Sequence, residues 1–442
     1  MISVGNNKAV MCKGDFHPAA LYKGDKKIAG YNVEEFEGEN GVTLENCYND
    51  KLHNAQIFGN SIQDGTPTPE APVEVQSVGE LVTEGEYAGK YKIPVTARGK
   101  NLLKPLRVSS DGIRTATSTT KTSNSYGTSI NTTNAKEEII VTQTKAPNTS
   151  NLTSYMNGYF SVEVGSGVLK HGKRYTLSFD CEITNSLLNS NKMGLYCNGD
   201  GIYSLDFQSV NGRNSIAFTY GISSGNDNYL EFRIAGKSLK ISNIMITDED
   251  GTPIYEPYIK PQTTNIYLDE PLRKVGDYAD YIDADKDVVV RKIKEDTIQR
   301  SCTWYKQSNH SDYNTGAILY RYEGAIVDKR LFIGNWYAVG SLLCNGLRHT
   351  GYNAGGVIDE SISERQADNG NRQIRILTSE YTTVTDMLAA FGEFKVSYIL
   401  DNAYVKEEPI ELPELPTFKG TTIIEVDSDV ETTISGKYKK FD

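Results

Sequence analysis

The chain has 442 residues, 38% of them hydrophobic, with 57 acidic against 46 basic side chains, a net charge of −11 and a mean hydropathy of −0.46. A chain of that length outgrows one ordinary core and predicts two to four domains. Its acidity and the lack of any long basic run exclude a surface built to follow a phosphate backbone, and no apolar stretch approaches the roughly 18 residues of a membrane span.

Residues 1–7 have neither the basic nor the apolar region of a secretion signal, which predicts a protein made and kept in the cytoplasm or released by lysis. With 28 Tyr, 39 Gly and long tracts of Ser, Thr and Asn, the composition favours short strands and many turns over helices. Residues 1–100 hold two Gly-rich strand segments and then a Pro-rich connector, Gly65-Thr66-Pro67-Thr68-Pro69-Glu70-Ala71-Pro72, an extended run with few backbone donors.

Period-two alternation predicts half-buried strands at Lys92-Ile93-Pro94-Val95-Thr96, Tyr175-Thr176-Leu177-Ser178-Phe179, Ser215-Ile216-Ala217-Phe218-Thr219, Leu230-Glu231-Phe232-Arg233-Ile234 and Val288-Val289-Val290-Arg291. Residues 108–155, rich in Ser, Thr, Asn and Lys, read as long surface loops or edge strands. From 158 to 246 the strands come about every eight to twelve residues, the spacing of a β-sandwich. A shorter run of strands covers 302–377.

One helix is predicted, at 384–391, with Thr383 and Asp386 placed as a capping box and Met387, Leu388 and Phe391 as its apolar stripe. The tail from 407 alternates again at Thr421-Thr422-Ile423-Ile424-Glu425-Val426. There is no fixed-period repeat and no sustained heptad. The fold class is all-β.

No GxSxG, HExxH, P-loop or GxGxxG pattern is present, and the five histidines, His17, His53, His171, His310 and His349, lack metal-ligand spacing. The six cysteines, Cys12, Cys47, Cys181, Cys197, Cys302 and Cys344, form no CxxC and read as buried free thiols. Neither a catalytic residue nor a metal ligand is assigned. The run Asp283-Ala284-Asp285-Lys286-Asp287 opens like a calcium loop, but Val288 stands where the glycine belongs and the closing Glu is missing, so a polar hairpin turn is expected. A structural Ca²⁺ elsewhere in a sandwich stays open, and no other cofactor is expected. Carboxylates are abundant enough that a glycan depolymerase using a pair of them stays as an alternative.

The aromatic residues form the more informative group. Sugar rings stack on Tyr and Trp while their hydroxyls bond to amides and carboxylates, and aromatic side chains lose little entropy in doing so. Tyr155, Tyr159, Tyr196, Tyr203, Tyr220 and Tyr229 sit among Asn, Ser, Asp and Gly rather than in apolar runs. Trp304, Tyr305, Trp336 and Tyr337 do likewise, with Asn335, Asn345 and Arg348 nearby. The competing reading for each ring is packing inside a sandwich.

Several segments resemble minor structural proteins of phages of Gram-positive bacteria. They are Gln56-Ile57-Phe58-Gly59-Asn60-Ser61-Ile62-Gln63-Asp64-Gly65-Thr66-Pro67-Thr68-Pro69 with Val73-Glu74-Val75-Gln76-Ser77-Val78-Gly79, and Gly99-Lys100-Asn101-Leu102-Leu103, which resembles the start of a carbohydrate-binding-module-like sandwich. Ile244-Met245-Ile246 with Tyr255-Glu256-Pro257-Tyr258 resembles its closing strand and exit. Tyr267-Leu268-Asp269-Glu270-Pro271-Leu272-Arg273-Lys274-Val275-Gly276-Asp277-Tyr278-Ala279-Asp280 and the tail Glu411-Leu412-Pro413-Glu414-Leu415-Pro416-Thr417-Phe418-Lys419-Gly420 complete the set. The matching segments belong to scaffold rather than to a ligand site.

The expected organisation is an attachment scaffold over 1–100, a jelly-roll-like sandwich over 101–260, scaffold strands over 261–295, a second β module over 296–395 and closing scaffold strands over 396–442. The scaffold is thus interrupted twice, with the strand near Val95-Thr96-Ala97 pairing Asn265-Ile266-Tyr267-Leu268 across the first insert. The resemblance implies a virion protein of the tail or baseplate, assembled in the host cytoplasm. As a homotrimer among other tail proteins, it would attach the particle to host cell-surface polysaccharide, multivalency strengthening weak contacts. A purely structural baseplate subunit is the other alternative.

Overall fold

The computed structural model of the chain describes residues 2–4, 7–10, 20–23, 26–103, 121–123, 128–133, 138–143, 159–163, 169–170, 172–186, 192–197, 203–208, 211–220, 229–234, 237–248, 251–298, 303–307, 318–323, 342–350, 361–366, 372–378, 381, 383–391, 393–412 and 414–441. The fold is all-β, a jelly-roll-like sandwich and a smaller β module on a discontinuous β scaffold, with Val384–Phe391 the one α-helix among the described residues. The chain divides into two compact units. One comprises Met1–Ala97, Thr263–Thr417 and Ile424–Asp442; the other comprises Arg98–Gln262 and Phe418–Ile423.

The first unit is held by strands remote in sequence. Thr433–Phe441 pairs Lys26–Glu39 from Thr433↔Glu39 to Phe441↔Tyr31, and also pairs His53–Phe58. Tyr281–Asp283 lies between His53–Phe58 and Val288–Arg291, and Val288–Arg291 pairs Lys406–Pro409. Tyr91–Arg98 pairs Gln262–Leu268, the pairing expected across the first interruption. Along Tyr91–Arg98 burial alternates, with Ile93, Val95 and Ala97 inward, because successive strand residues face opposite sides.

The strand predicted over 288–291 is present and ends at Arg291. The chain turns at Lys292, after which Ile293–Ile298 pairs Phe394–Ile399. The acidic run 283–287 is a hairpin turn as expected: Tyr281 faces Val290, Asp283 faces Val288, and Asp287 takes φ 54°.

The turn at Lys292 is organised by Asp280, a carboxylate with 0% exposure. One oxygen accepts the amides of Lys292 at 2.7 Å and Ile293 at 2.8 Å; the other accepts the amide of Arg273 at 3.1 Å and lies 3.4 Å from Arg291 Nη1. Arg291, also buried, donates to the carbonyls of Pro271 and Glu270, both at 2.7 Å. Burial raises the Asp280 pKa, against the opposing pull of Arg291 and the three amides. Gly59 is pinned by the same segment: its amide donates to the Asp280 carbonyl, and a Cβ there would stand 2.7 Å from the Arg273 carbonyl oxygen. Gly59 of the 56–69 segment and Arg273 and Asp280 of the 267–280 segment therefore form one packed unit.

The second module, expected over 296–395, lies in this same compact unit. Phe394–Ile399 also pairs Leu342–Cys344, and a five-stranded sheet runs in the order Thr303–Gln307, Ile318–Glu323, Arg372–Thr378, Ser361–Gln366, Arg348–His349. Its core joins Ile362, Ile374 and Ile376 to Val396 and Tyr398, and the helix adds Met387, Leu388 and Phe391. The predicted cap is in place: Thr383 Oγ1 accepts the Asp386 amide at 3.1 Å and lies 2.6 Å from its carboxylate. The Pro-rich segment leads onto this module, for Gln63 Nε2 donates to the carbonyls of Val73 and Cys344, both at 2.9 Å.

The second unit holds a six-stranded sheet, in the order Lys121–Ser123, Thr128–Thr133, Glu138–Gln143, Lys237–Thr247, Arg174–Ser186, Gly212–Thr219, and a four-stranded sheet. The Ser- and Thr-rich stretch 108–155, expected as loops or edge strands, supplies three of the first sheet's strands, two of them internal. Residues 175–179 are buried at every position, so alternation there marks the pleat and not a wet face.

The chain's ingress and exit are tied by polar contacts. Asn101, 3% exposed, donates to the Glu256 carbonyl at 3.0 Å and accepts the Leu103 amide at 2.9 Å. The Glu256 carboxylate pairs with Lys100 at 3.0 Å and accepts the amide and hydroxyl of Thr421, both at 2.8 Å. Thr421 follows Gly420, whose φ of +99° and 2.8 Å Cβ clearance from Glu256 Oε2 admit only glycine comfortably. Phe418–Ile423, expected with the closing scaffold strands, thus belongs to this unit, because its backbone donors find their acceptor here.

Two substitutions test these nodes. Asp280→Asn leaves Arg291 only its partly exposed partner Glu408, at 3.3 Å, and turns an NH₂ toward buried backbone donors, and should lower unfolding free energy by about 1–3 kcal/mol in urea titrations. Asn101→Ala strands the Leu103 amide and the Glu256 carbonyl, and should cost about 1–3 kcal/mol by the same measurement.

Candidate functional site

In the four-stranded sheet the order is Tyr159–Glu163, Tyr229–Ile234, Lys192–Cys197, Tyr203–Gln208, all antiparallel. Residues directly paired share a face, and the face alternates along each strand. The register therefore sorts the sheet. One face holds the rows Tyr159–Arg233–Gly194–Asp206 and Ser161–Glu231–Tyr196–Ser204, followed by Glu163–Tyr229. The other holds Phe160–Phe232–Leu195–Leu205 and Val162–Leu230–Cys197–Tyr203.

One face is thus polar with three tyrosines, the other apolar. Tyr159, Tyr196 and Tyr229 are brought to the polar face, whereas Tyr203 falls in an apolar row. In that register Gly194 stands between Arg233 and Asp206.

Tyr155, Trp336 and Tyr337 lie outside the described residues. Tyr220 is 4% exposed, a core ring and not a binding one. In the second module the register puts Trp304 in the row of Tyr322, Ile374 and Glu364, on the face where Ile374, Ile376 and Ile362 are buried in the core. Tyr305 falls on the opposite face, in the row of Arg321, Arg375 and Ser363. Asn345, read as a hydroxyl-binding neighbour of these rings, has its amide committed: Nδ2 donates to Glu74 at 2.8 Å and Oδ1 accepts the Lys395 amide at 2.8 Å. It is a structural crosslink.

The first unit contains a feature that sequence reading missed, a cleft of about 620 Å³ walled by residues 74–77, 79–81, 91, 92, 94, 271, 273, 295, 395 and 427–430. Tyr91 and Lys92 pair with Leu81 and Glu80, while the Pro94 carbonyl accepts the Asp427 amide, and the cleft opens where those two neighbours part. Its cations are already engaged: Lys92 with Glu80 at 2.9 Å, Lys395 with Glu74 at 3.3 Å, and Arg273 with Glu270 at 2.6 Å and Glu295 at 3.7 Å.

The hydrogen bond from Asn345, helped by Lys395, holds the Glu74 carboxyl below its usual pKa, and Glu80 holds the Lys92 ammonium above its own. Five carboxylates face these three cations, so the cleft carries excess negative charge at neutral pH. Nothing but distant pairing of 74–80 with 91–94, 395 and 427–430 signals this cleft in the sequence.

Among the described residues, no group of three His, Cys, Asp or Glu side chains comes together to hold a metal ion, and no helix is long and apolar enough to cross a membrane. No protein-family model matches the chain, and no curated protein matches it. Among solved structures, the infectious bursal disease virus VP2 subviral particle superposes at 7% identity and a TM-score of 0.08, over 93% of this chain and 81% of that one, too poorly to relate the two folds.

Cys47, Cys181 and Cys344 are buried free thiols, and burial pushes the Cys344 thiol up to about 12. Alkylation of the native protein with iodoacetamide at pH 7.5, followed by peptide mass mapping, should leave Cys344 unmodified until denaturant is added.

Proposed function

We propose that this chain is a structural protein of a phage tail or baseplate that holds the particle to its host by binding cell-surface glycan without cleaving it. The observation that carries the reading is the sorting of the four-stranded sheet. By register, Tyr159, Tyr196 and Tyr229 share one face with Arg233, Gly194, Asp206, Glu231 and Ser204. Rings for stacking and forked or acidic groups for hydroxyls are what saccharide recognition requires, and strands hold them without a folding cost at binding. The phage-like segments add to this from the sequence side: their residues build the Asp280 and Glu256 nodes that let a scaffold carry inserts. In this reading the protein is a virion component and a homotrimer, whose repeated weak sites sum to firm adhesion.

The test uses the full chain against wall polysaccharide purified from a Gram-positive host, with a glycan array for breadth. Saturable binding is expected, weakened about tenfold by Tyr196→Ala, equivalent to roughly 1.4 kcal/mol, with no new reducing ends. Absence of binding to wall and array alike would leave the purely structural subunit as the better reading. Release of reducing ends would favour the depolymerase.

A further inference from the structure

The geometry points to the cleft of the first unit, together with the stacked pair Tyr87–Tyr267 beside it, as a second saccharide site that prefers neutral or amino-bearing sugars to anionic ones. It lies apart from the sandwich residues and does not depend on the sandwich binding anything.

The ring pair comes first. Tyr87 and Tyr267 stack with centroids 3.8 Å apart and planes 8° from parallel, yet Tyr87 keeps 41% of its surface exposed. Tyr87 sits in the turn between Leu81 and Tyr91, closed by the Val82 amide on the Lys90 carbonyl and the Gly89 amide on the Val82 carbonyl. That turn springs from residues lining the cleft, since Leu81 and Tyr91 both face it. Lys92, another wall residue, lies on Tyr91–Arg98, the strand that pairs with the Tyr267-bearing strand Gln262–Leu268. Ring and cleft therefore share one edge of the scaffold. Tyr267 fixes the Tyr87 ring from one side, so a sugar stacking on its free side meets a platform already ordered.

Charge then sets the class of ligand. Because Lys92, Lys395 and Arg273 are each held by a carboxylate, a phosphate or uronate would find no uncommitted cation. Asp427 and Asp429 stand exposed on the wall with no ion pair among the described residues. They offer acceptors to sugar hydroxyls and a counter-charge to a protonated amine, and the attraction to an amine weakens with added salt. Ser77, Gln76 and Ser428 supply neutral donors and acceptors around them.

Calorimetric titration of the full chain tests the assignment, with four probes: tetra-N-acetylchitotetraose, its fully deacetylated counterpart, tetragalacturonate and tetralysine. Saturable binding of the first two is expected, tighter for the deacetylated sugar, with tetragalacturonate at least about tenfold weaker. Tyr87→Ala should weaken both sugars about tenfold. The double variant Asp427→Asn, Asp429→Asn should abolish the preference for the deacetylated form. Tyr404→Ala, at an exposed ring outside the cleft lining, should leave both sugars bound as in the parent. Sugar binding that survives Tyr87→Ala but is lost in Tyr196→Ala belongs to the sandwich and overturns this assignment alone. The assignment is overturned if neither sugar binds, if tetralysine binds and the sugars do not, or if Tyr87→Ala changes nothing in a variant whose melting matches the parent. Loss of self-association in the Tyr87 variant without loss of sugar binding would also overturn it, marking the cleft as a contact between copies.

Discussion

Two oxygens of Asp280 must satisfy three backbone amides and a guanidinium, away from water, at the point where the scaffold turns toward its second module. Interruption of a sheet creates this demand. When a strand stops so that another module can begin, the amides at the break lose their ladder partners, and an unpaired buried amide is costly. A side-chain carboxylate can accept from several directions at once, which no strand partner can do. The Glu256 carboxylate meets the same demand in the second unit, taking the Thr421 amide and hydroxyl together with the Lys100 ammonium.

These nodes differ in kind from the many ion pairs on the surface. Pairs such as Lys51–Glu414 or Lys437–Glu35 are solvated, and exposed pairs typically contribute about 0–1 kcal/mol. Asp280 and Arg291 are both buried, and Arg291 also reaches the partly exposed Glu408 at 3.3 Å, so removing Arg291 strips the buried carboxylate of its cation. The remainder of the stability comes from apolar faces of ordinary kind: Ile93, Val95 and Ala97 in the scaffold, Ile362, Ile374 and Ile376 under the helix in the module. Apolar burial holds the sheets together; the carboxylates decide where the sheets stop.

Rigid sheets suit recognition better than chemistry. In the four-stranded sheet the register alone separates polar rows from apolar ones, because paired residues share a face and faces alternate along a strand. The scaffold cleft has walls tied by ion pairs.

Period-two patterning, turn chemistry and capping are local, and they were legible. The strands at 92–96, 175–179, 215–219, 230–234 and 288–291, the hairpin turn at 283–287 and the Thr383–Asp386 cap all follow from neighbours within a few residues. The resemblance between segments also pointed to a scaffold interrupted twice, and the pairing of Tyr91–Arg98 with Gln262–Leu268 accords with it. The break at Lys292, the buried fate of Tyr220, the commitment of Asn345 to Glu74 and the cleft at Lys92 were not legible. Each depends on groups separated by many residues, such as Asn345 and Glu74. Local sequence determines which side of a strand a residue takes; only the packing of distant strands determines whether that side meets solvent, a core or a partner charge. The physical reason is that burial and charge pairing are properties of the assembled neighbourhood, whereas pleat and cap are properties of the chain itself.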